Sequence, residues 1–156
     1  SVIVGYCYYW KTDPSILDVG CGEGILWEKF FHKNYSYYEG LDLSQEALKR
    51  INHMTNKKTK FILTDMLDYS TNKTFDVIIF SESIYSLDDL EKLPLMINKY
   101  LGFLKPEGKL IVSQWNQSPN ADKIWEELDQ RLILIDEVSL INRFNLKSTI
   151  KVFDVP

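Results

Sequence analysis

Three glycines alternate along one short segment of the chain, between an apolar stretch and a stretch with helical spacing. Gly20 permits a sharp reversal, Gly22 lets a ligand approach the backbone without a Cβ in the way, and Gly24 allows a helix to begin close to a sheet. The free N–H groups at the start of that helix can receive a ligand carboxylate. The segment therefore predicts a ligand-binding turn directly after a first strand, Ile16 to Val19.

The spacing of the glycines narrows the class of ligand. A dinucleotide fingerprint places its third glycine one position later, at position 25, which is Ile25 in this chain. The spacing therefore disfavours NAD and FAD, and we expect a nicotinamide dehydrogenase assay to fail.

Two acidic residues follow later strands. Asp42 and Leu43 end the second strand, where a carboxylate can accept hydrogen bonds from both hydroxyls of a ribose and an apolar side chain can lie against an adenine. Asp65 and Met66 end the third strand, where they can accept from the adenine amino group and flank the ring. For either acid alone, a helix cap or a surface turn residue is the favoured interpretation. The glycine turn and the two acids in this order, each after a strand, favour a nucleoside site.

The elements that position these residues are short apolar runs alternating with amphipathic stretches, the pattern of a parallel sheet covered by helices on both faces. The predicted parallel strands are Ile16 to Val19, Tyr37 to Leu41, Lys60 to Leu63, Asp76 to Phe80 and Lys109 to Ser113. The predicted helices are Glu23 to His32, Ser44 to His53, Asp89 to Tyr100, interrupted near Pro94, and Ala121 to Leu132. A turn is predicted over Lys105 to Gly108. The last two runs, Ile135 to Asn142 and Lys147 to Val155, have no helix between them and must pair antiparallel.

These residues resemble a known family. The segment Ile16 to Gly24 is similar to the first conserved stretch of class I S-adenosylmethionine-dependent methyltransferases, and Asp42, Asp65, Phe75 to Ile79 and Leu104 to Leu110 are similar to later ones. The resemblance implies a Rossmann-like, doubly wound seven-stranded α/β sheet in the order 3-2-1-4-5-7-6, mostly parallel with an antiparallel terminal strand. It implies S-adenosyl-L-methionine as the cofactor.

The resemblance also implies a role for each site residue. The glycine turn holds the methionine part of the cofactor, Asp42 binds the ribose, Asp65 binds the adenine, and Asp18 orients the amino group through the turn. The full set of cofactor-binding residues implied is Asp18, Gly20, Cys21, Gly22, Gly24, Asp42, Leu43, Asp65, Met66 and Ser81.

The methyl acceptor is expected near the end of the fourth strand, because ligands of such sheets bind outside the carboxyl ends of the strands. Glu82 is the candidate to orient an amine or accept a proton, and Tyr85 the candidate to face the sulfonium charge. The alternatives are that only the backbone of Glu82 touches the cofactor, and that Tyr85 is a core residue. Trp115 and Asn116 are further candidates to line the acceptor pocket.

The two histidines and the first ten residues have weaker signals. His32 and His53 fall on helices predicted to face away from this edge, and neither is expected to be catalytic. The aromatic cluster Tyr6 to Trp10 either stacks on the ligand or packs on the sheet. The N-terminal helices usual in the family are expected to be absent, and a chain that begins with Ser1 is compatible with missing N-terminal lid residues.

Composition limits the partners. The 156 residues carry a formal charge of -4, with no basic cluster that could follow a phosphate backbone, so nucleic acid is not expected as a partner. There is no apolar run of membrane-spanning length and no metal-ligand spacing, and the two cysteines indicate a reducing, cytoplasmic location. We expect one domain over 1–156 and draw no conclusion on oligomeric state.

The function predicted is methyl transfer to an amine or hydroxyl of a small molecule. The Asp/Asn-Pro-Pro-aromatic and Pro-Cys motifs of nucleic-acid methyltransferases are missing after the fourth strand, and the compact form most resembles small-molecule methyltransferases, including the nodulation-type N-methyltransferases. The alternative is a module that binds the cofactor without catalysing transfer.

Overall fold

The computed structural model describes residues 1–156, which form seven strands and five α-helices. The strands are β1 (Ser15–Val19), β2 (Tyr37–Asp42), β3 (Thr59–Leu63), β4 (Phe75–Ser81), β5 (Leu104–Trp115), β6 (Ile133–Ile141) and β7 (Lys147–Asp154). The helices are α1 (Val2–Trp10), α2 (Ile25–Phe30), α3 (Gln45–Ile51), α4 (Leu93–Leu101) and α5 (Ala121–Arg131).

All seven strands join one sheet in the order β3-β2-β1-β4-β5-β7-β6. The first five pair in parallel, and β7 pairs antiparallel with both β5 and β6. The predicted fold and strand order are therefore confirmed. The chain turns from one half of the sheet to the other between β1 and β4, and a crevice at their carboxyl ends is the usual ligand site of such a sheet.

The central strands β1 and β4 are buried on both faces of the sheet, which explains why they are continuous apolar runs rather than alternating ones. Along β4, Ile78 and Phe80 face one core and Val77 and Ile79 face the other. Helices α4 and α5 cover the first core, while α1, α2 and α3 cover the second. Both cores pack against β1 and β4, and this packing fixes the positions at which the loops after these strands begin.

Local sequence signals set several helix and strand ends. Ser44 accepts the Ala47 N–H at 3.1 Å and so caps α3, as its position predicts. Pro94 lies in the first turn of α4, after a short 3-10 turn over Leu90–Lys92, as the predicted interruption requires. The turn predicted at Lys105 to Gly108 is an excursion within β5, because Leu104 pairs with Phe75 and Lys109 already pairs with Val77.

The expectation that the chain lacks an N-terminal helix is wrong for its first ten residues. Helix α1 packs Ile3, Val4 and Cys7 into the second core, and the aromatic side chains Tyr6 and Trp10 lie partly buried against the same core. Of the two alternatives for the aromatic cluster, the structure shows packing on the sheet.

None of the helices is both long enough and apolar enough to cross a membrane.

Candidate functional site

Two cavities lie at the carboxyl ends of β1, β2 and β4, and Gly20 lines both. The first has a volume of about 480 Å³ and the second about 350 Å³. From the predicted cofactor set, the first cavity is lined by Gly20, Asp42, Leu43, Asp65 and Met66, and the second by Asp18, Gly20, Cys21, Gly22 and Ser81. The structure therefore brings nine of the ten predicted residues to one edge of the sheet.

The glycine turn after β1 owes its composition to three different surroundings. All three glycines have positive φ, of 81° at Gly20, 55° at Gly22 and 79° at Gly24, a region that side chains disfavour. A Cβ on Gly20 would lie 2.3 Å from the Cβ of Ser83, whereas a Cβ on Gly22 would meet nothing within 4 Å. The backbone of Gly22 is thus the part of the turn that a ligand can reach.

Gly24 is the predicted site residue that lines neither cavity. It precedes α2, and a Cβ there would lie 3.1 Å from the side chain of Ile51 on α3. Its role in the structure is to let α2 and α3 pack closely beside the turn.

The carboxylate of Asp42 joins the turn to the second strand. Its Oδ2 accepts the N–H of Gly22 at 2.7 Å, and its Oδ1 accepts the N–H of Ser44 at 2.7 Å. Each carboxylate oxygen has a second lone-pair direction, so both can accept a further hydrogen bond from a ligand hydroxyl. Asp42 is half-buried on the wall of the first cavity, where that ligand would lie.

Asp18 is a buried carboxyl beneath the turn. It is 1% exposed, and its Oδ2 accepts the hydroxyl of Tyr38 at 2.5 Å, while Oδ1 is buried without a hydrogen-bond partner. Burial raises the pKa of Asp18 to about 7; the Tyr38 hydrogen bond opposes this rise and the charge of Asp42 adds to it. An unpartnered acceptor on the wall of the second cavity suits a cationic ligand group.

Asp65 is held by its own loop. Its Oδ1 accepts the N–H of Leu67 at 2.7 Å, which leaves Oδ2 for a ligand. Leu43 is 69% exposed, and Leu43 and Met66 both line the first cavity with Asp65. The cavity therefore offers a flat base two apolar side chains and one free carboxylate oxygen.

Glu82 follows β4 and connects it to β5. Its backbone has a positive φ of 54°, and its carboxylate accepts the Ser113 hydroxyl at 3.1 Å and the Trp115 N–H at 2.7 Å. The side chain thus has a structural role while it also lines the first cavity.

Tyr85 lies outside both cavities and packs against the first core. Burial raises the pKa of its hydroxyl, and the nearby charge of Glu82 raises it further, so the phenol stays protonated. Trp115 and Asn116 also lie outside both cavities. His32 and His53 are exposed and line neither cavity; His32 lies in the turn after α2 rather than on the predicted helix, and His53 lies in a short 3-10 turn. Nowhere do three or more His, Cys, Asp or Glu side chains come together as a metal site would need.

Several lining residues had no sequence signal. Ser1 and Ile3 reach the second cavity because α1 begins beside the glycine turn. The other unpredicted residues of the first cavity come mostly from the segment after β4, and they include Ser83, Ser86, Leu87, Asp88, Asp89 and Lys92. The sequence shows two acids, Asp88 and Asp89, before a predicted helix, but only the fold shows that this segment crosses the sheet edge and lines the cavity.

The chain matches a known family over most of its length. Residues 8–151 match a family described as a methyltransferase domain. Nodulation protein S of Rhizobium tropici is 24% identical over 134 residues, which are 80% of this chain and 56% of that protein. Phosphoethanolamine N-methyltransferase of Triticum aestivum is 30% identical over 115 residues, which are 70% of this chain and 22% of that protein. The chain thus spans little more than half of the first relative and less of the second.

Solved structures share the fold. The crystal structure of the N-methyltransferase NodS from Bradyrhizobium japonicum WM9 has a TM-score of 0.84 and 21% identity, with 99% of this chain and 93% of that chain covered. A second structure of that protein, in complex with S-adenosyl-L-homocysteine, has a TM-score of 0.85 and 20% identity, with 99% of this chain and 84% of that chain covered.

The buried carboxyl of Asp18 makes the stability of the fold dependent on pH. The pKa of an aspartate in an unfolded chain is about 4, whereas burial raises the pKa of Asp18 in the folded chain to about 7. The folded chain holds this proton more tightly, so the stabilisation is complete below the unfolded pKa and is lost as the pH rises through the folded one. As the pH rises from about 5 to about 8, the free energy of unfolding in urea should fall less for Asp18→Asn than for the unsubstituted chain, because the variant has no carboxyl to ionise at this position.

The matched control is Asp13→Asn, because Asp13 is exposed in the loop after α1. That variant should follow the unsubstituted chain at every pH. Identical pH profiles for the Asp18 variant and the unsubstituted chain would contradict the assignment of the buried proton.

Proposed function

The chain belongs to the methyltransferase domain family, and from that premise we propose that it binds S-adenosyl-L-methionine and transfers its methyl group to a small molecule. The observation that carries the proposal is the hydrogen bond from the Gly22 N–H to the Asp42 carboxylate at 2.7 Å, which joins a residue on the wall of the first cavity to one on the wall of the second. The pair presents a carboxylate and an open backbone, which suit a ribose and its neighbouring substituent.

The chain's own residues fit each part of this cofactor. Asp18 has a buried Oδ1 without a partner for an ammonium group, Asp42 has two oxygens for a ribose diol, and Asp65 has one free oxygen for an adenine amino group. Leu43 and Met66 supply apolar contact for the ring. These groups lie in the order methionine, ribose and adenine from the second cavity into the first.

The electrostatics of the edge also favour a cationic ligand. The first cavity is lined by five acids, Asp42, Asp65, Glu82, Asp88 and Asp89, against one lysine, Lys92. A cleft lined by one sign of charge concentrates ligands of the opposite sign. S-Adenosylmethionine supplies a methyl group activated on a positively charged sulfur, so the field of the cavity suits it.

The acceptor would approach near the end of β4. Glu82 is the residue there that can orient an amine or accept its proton, because its carboxylate is held in place by Ser113 and Trp115 and lies on the cavity wall. In-line displacement at a methyl group needs mainly correct positioning of the nucleophile and exclusion of water. Tyr85 packs against the first core near Glu82, whose charge raises the pKa of the Tyr85 hydroxyl.

The relatives favour a small acceptor and leave both nucleophile types open. Their names include a phosphoethanolamine N-methyltransferase and a ubiquinone biosynthesis O-methyltransferase from Neisseria meningitidis. We therefore propose that the acceptor atom is the nitrogen of an amine or the oxygen of a hydroxyl group. A cytoplasmic location and the absence of a nucleic-acid partner stay predictions from the sequence.

A second candidate function has one observation in its favour. Both carboxylate oxygens of Glu82 already accept structural hydrogen bonds, and Tyr85 lies outside both cavities. A chain with an intact cofactor edge and no free catalytic group would bind the cofactor as an interaction module.

Removal of the Asp42 carboxylate should abolish the cofactor site. We expect S-adenosyl-L-homocysteine to bind the unsubstituted chain in calorimetric titration and Asp42→Ala to weaken that binding by about tenfold or more, because hydrogen bonds to a charged group are lost. Asp13→Ala, at an exposed aspartate away from both cavities, is the control and should bind normally. No binding by the unsubstituted chain, or equal binding by both, would overturn the cofactor proposal.

A transfer assay separates the enzyme from the binding module. Labelled S-adenosylmethionine incubated with the chain and a fractionated pool of small amines and alcohols should yield labelled product, and Glu82→Gln should lower the rate by about 100-fold if Glu82 accepts a proton. Unchanged binding of the cofactor by the same variant is the control. Cofactor binding without any labelled product would favour the interaction module.

A further inference from the structure

Two neighbouring residues on α4 reach across to the loop that carries Asp65. The Nζ of Lys99 donates to the carbonyl oxygen of Met66 at 2.9 Å and to that of Leu67 at 2.7 Å. The hydroxyl of Tyr100 donates to the same Met66 oxygen, also at 2.9 Å. Two consecutive carbonyl groups of a loop at the cavity wall are therefore satisfied by side chains from a different element.

The use of a lysine here is unusual, since its ammonium group hydrogen-bonds to two uncharged oxygens and to no carboxylate. Partial burial lowers the pKa of Lys99, so the arrangement has an electrostatic cost, while the charges of Asp68 and Asp65 partly offset it. Burial of an ammonium group without an adjacent carboxylate costs free energy, and the hydrogen bonds to the two carbonyl oxygens offset part of that cost.

The helix that supplies these donors is rigid. Four residues of α4, Leu93, Met96, Ile97 and Tyr100, are buried in the first core. The ring of Tyr100 also stacks on Tyr69, at a centroid distance of 6.2 Å and an interplanar angle of 14°, further along the same loop. The loop after β3 is thus fastened to the core of the sheet at two places.

The fastened peptide unit is the one that orients Asp65. In a trans peptide the C=O and the N–H of the next residue lie in one plane and point in opposite directions. The Met66 oxygen points to Lys99 and Tyr100, so the N–H of Leu67 must point the other way, and there it donates to Asp65 Oδ1 at 2.7 Å. Rotation of this one peptide would break the contacts on both of its sides.

We propose that Lys99 and Tyr100 are positioning residues for cofactor recognition: they clamp the Met66–Leu67 peptide and thereby direct the free oxygen of Asp65 at the amino group of the adenine. The inference rests on the proposed cofactor site. It extends that site to two residues on α4 that line neither cavity, and it assigns to them the discrimination between a base with a 6-amino group and one without.

The test compares two ligands that differ only at that group, S-adenosyl-L-homocysteine and its 6-deamino analogue, in which hydrogen replaces the amino group of the adenine, in calorimetric titration. The deamino compound has no donor at position 6 or at N1, so it cannot donate to Asp65. We expect Lys99→Met to weaken binding of the adenosyl compound by about tenfold and binding of the deamino compound by less than about twofold. Lys99→Arg, which keeps the donors, should restore most of the loss.

Two further variants make the result specific. Tyr100→Phe keeps the ring stacked on Tyr69 and removes one of two donors to Met66, so we expect a smaller selective loss of about threefold. In an Asp65→Ala background, Lys99→Met should have little additional effect, because residues that act through one another are not additive. Lys49→Met is the control, since Lys49 pairs only with Glu46 on the exposed side of α3.

The outcomes are distinguishable. Equal weakening of both ligands by Lys99→Met would mean that the lysine only stabilises the fold, and no change in either ligand would mean that it does not position the loop; each overturns the inference while the cofactor site stands. Failure of the unsubstituted chain to bind either ligand would overturn the proposed function and the inference with it.

Discussion

The contact on which the edge of this sheet depends is the hydrogen bond from the Gly22 N–H to the Asp42 carboxylate. It joins the turn after β1 to the end of β2, and the same carboxylate accepts the N–H of Ser44 at the start of α3. A charged acceptor between two backbone donors is stronger than a neutral one and fixes the direction of its remaining lone pairs. The backbone N–H groups of Gly22 and Ser44 therefore fix the orientation of the carboxylate that we propose binds the ribose.

The rest of the edge is arranged around this contact. Gly20 has no side chain because Ser83 occupies the space behind it, and Ser83 in turn donates to the carbonyl of Val19 at 2.5 Å, so the ends of β1 and β4 are joined directly. Asp18 lies below the turn, and burial raises its pKa to about 7. An ammonium group in the second cavity would favour its ionised form, so occupation by a cationic ligand and deprotonation of Asp18 are coupled.

The sequence predicts the sheet and most of the site because both rest on local signals: apolar runs such as Ile78 to Phe80, the glycine turn, and acids directly after strands. Helix α1 escapes prediction because β-branched and aromatic residues favour strands, and only the burial of Ile3, Val4 and Cys7 against the sheet makes the segment helical. The Lys99 contacts escape it because they join residues more than thirty positions apart.

We propose that a sulfonium nucleoside binds along the carboxyl edge of this sheet with its ribose on Asp42. The most direct measurement is a crystal structure of the chain grown with S-adenosyl-L-homocysteine. We predict both ribose hydroxyls within about 3 Å of the Asp42 carboxylate oxygens, with the Gly22 contact retained and the adenine between Leu43 and Met66. An edge filled by protein side chains with no room for a ribose, or S-adenosyl-L-homocysteine bound elsewhere on the chain, would contradict the proposal.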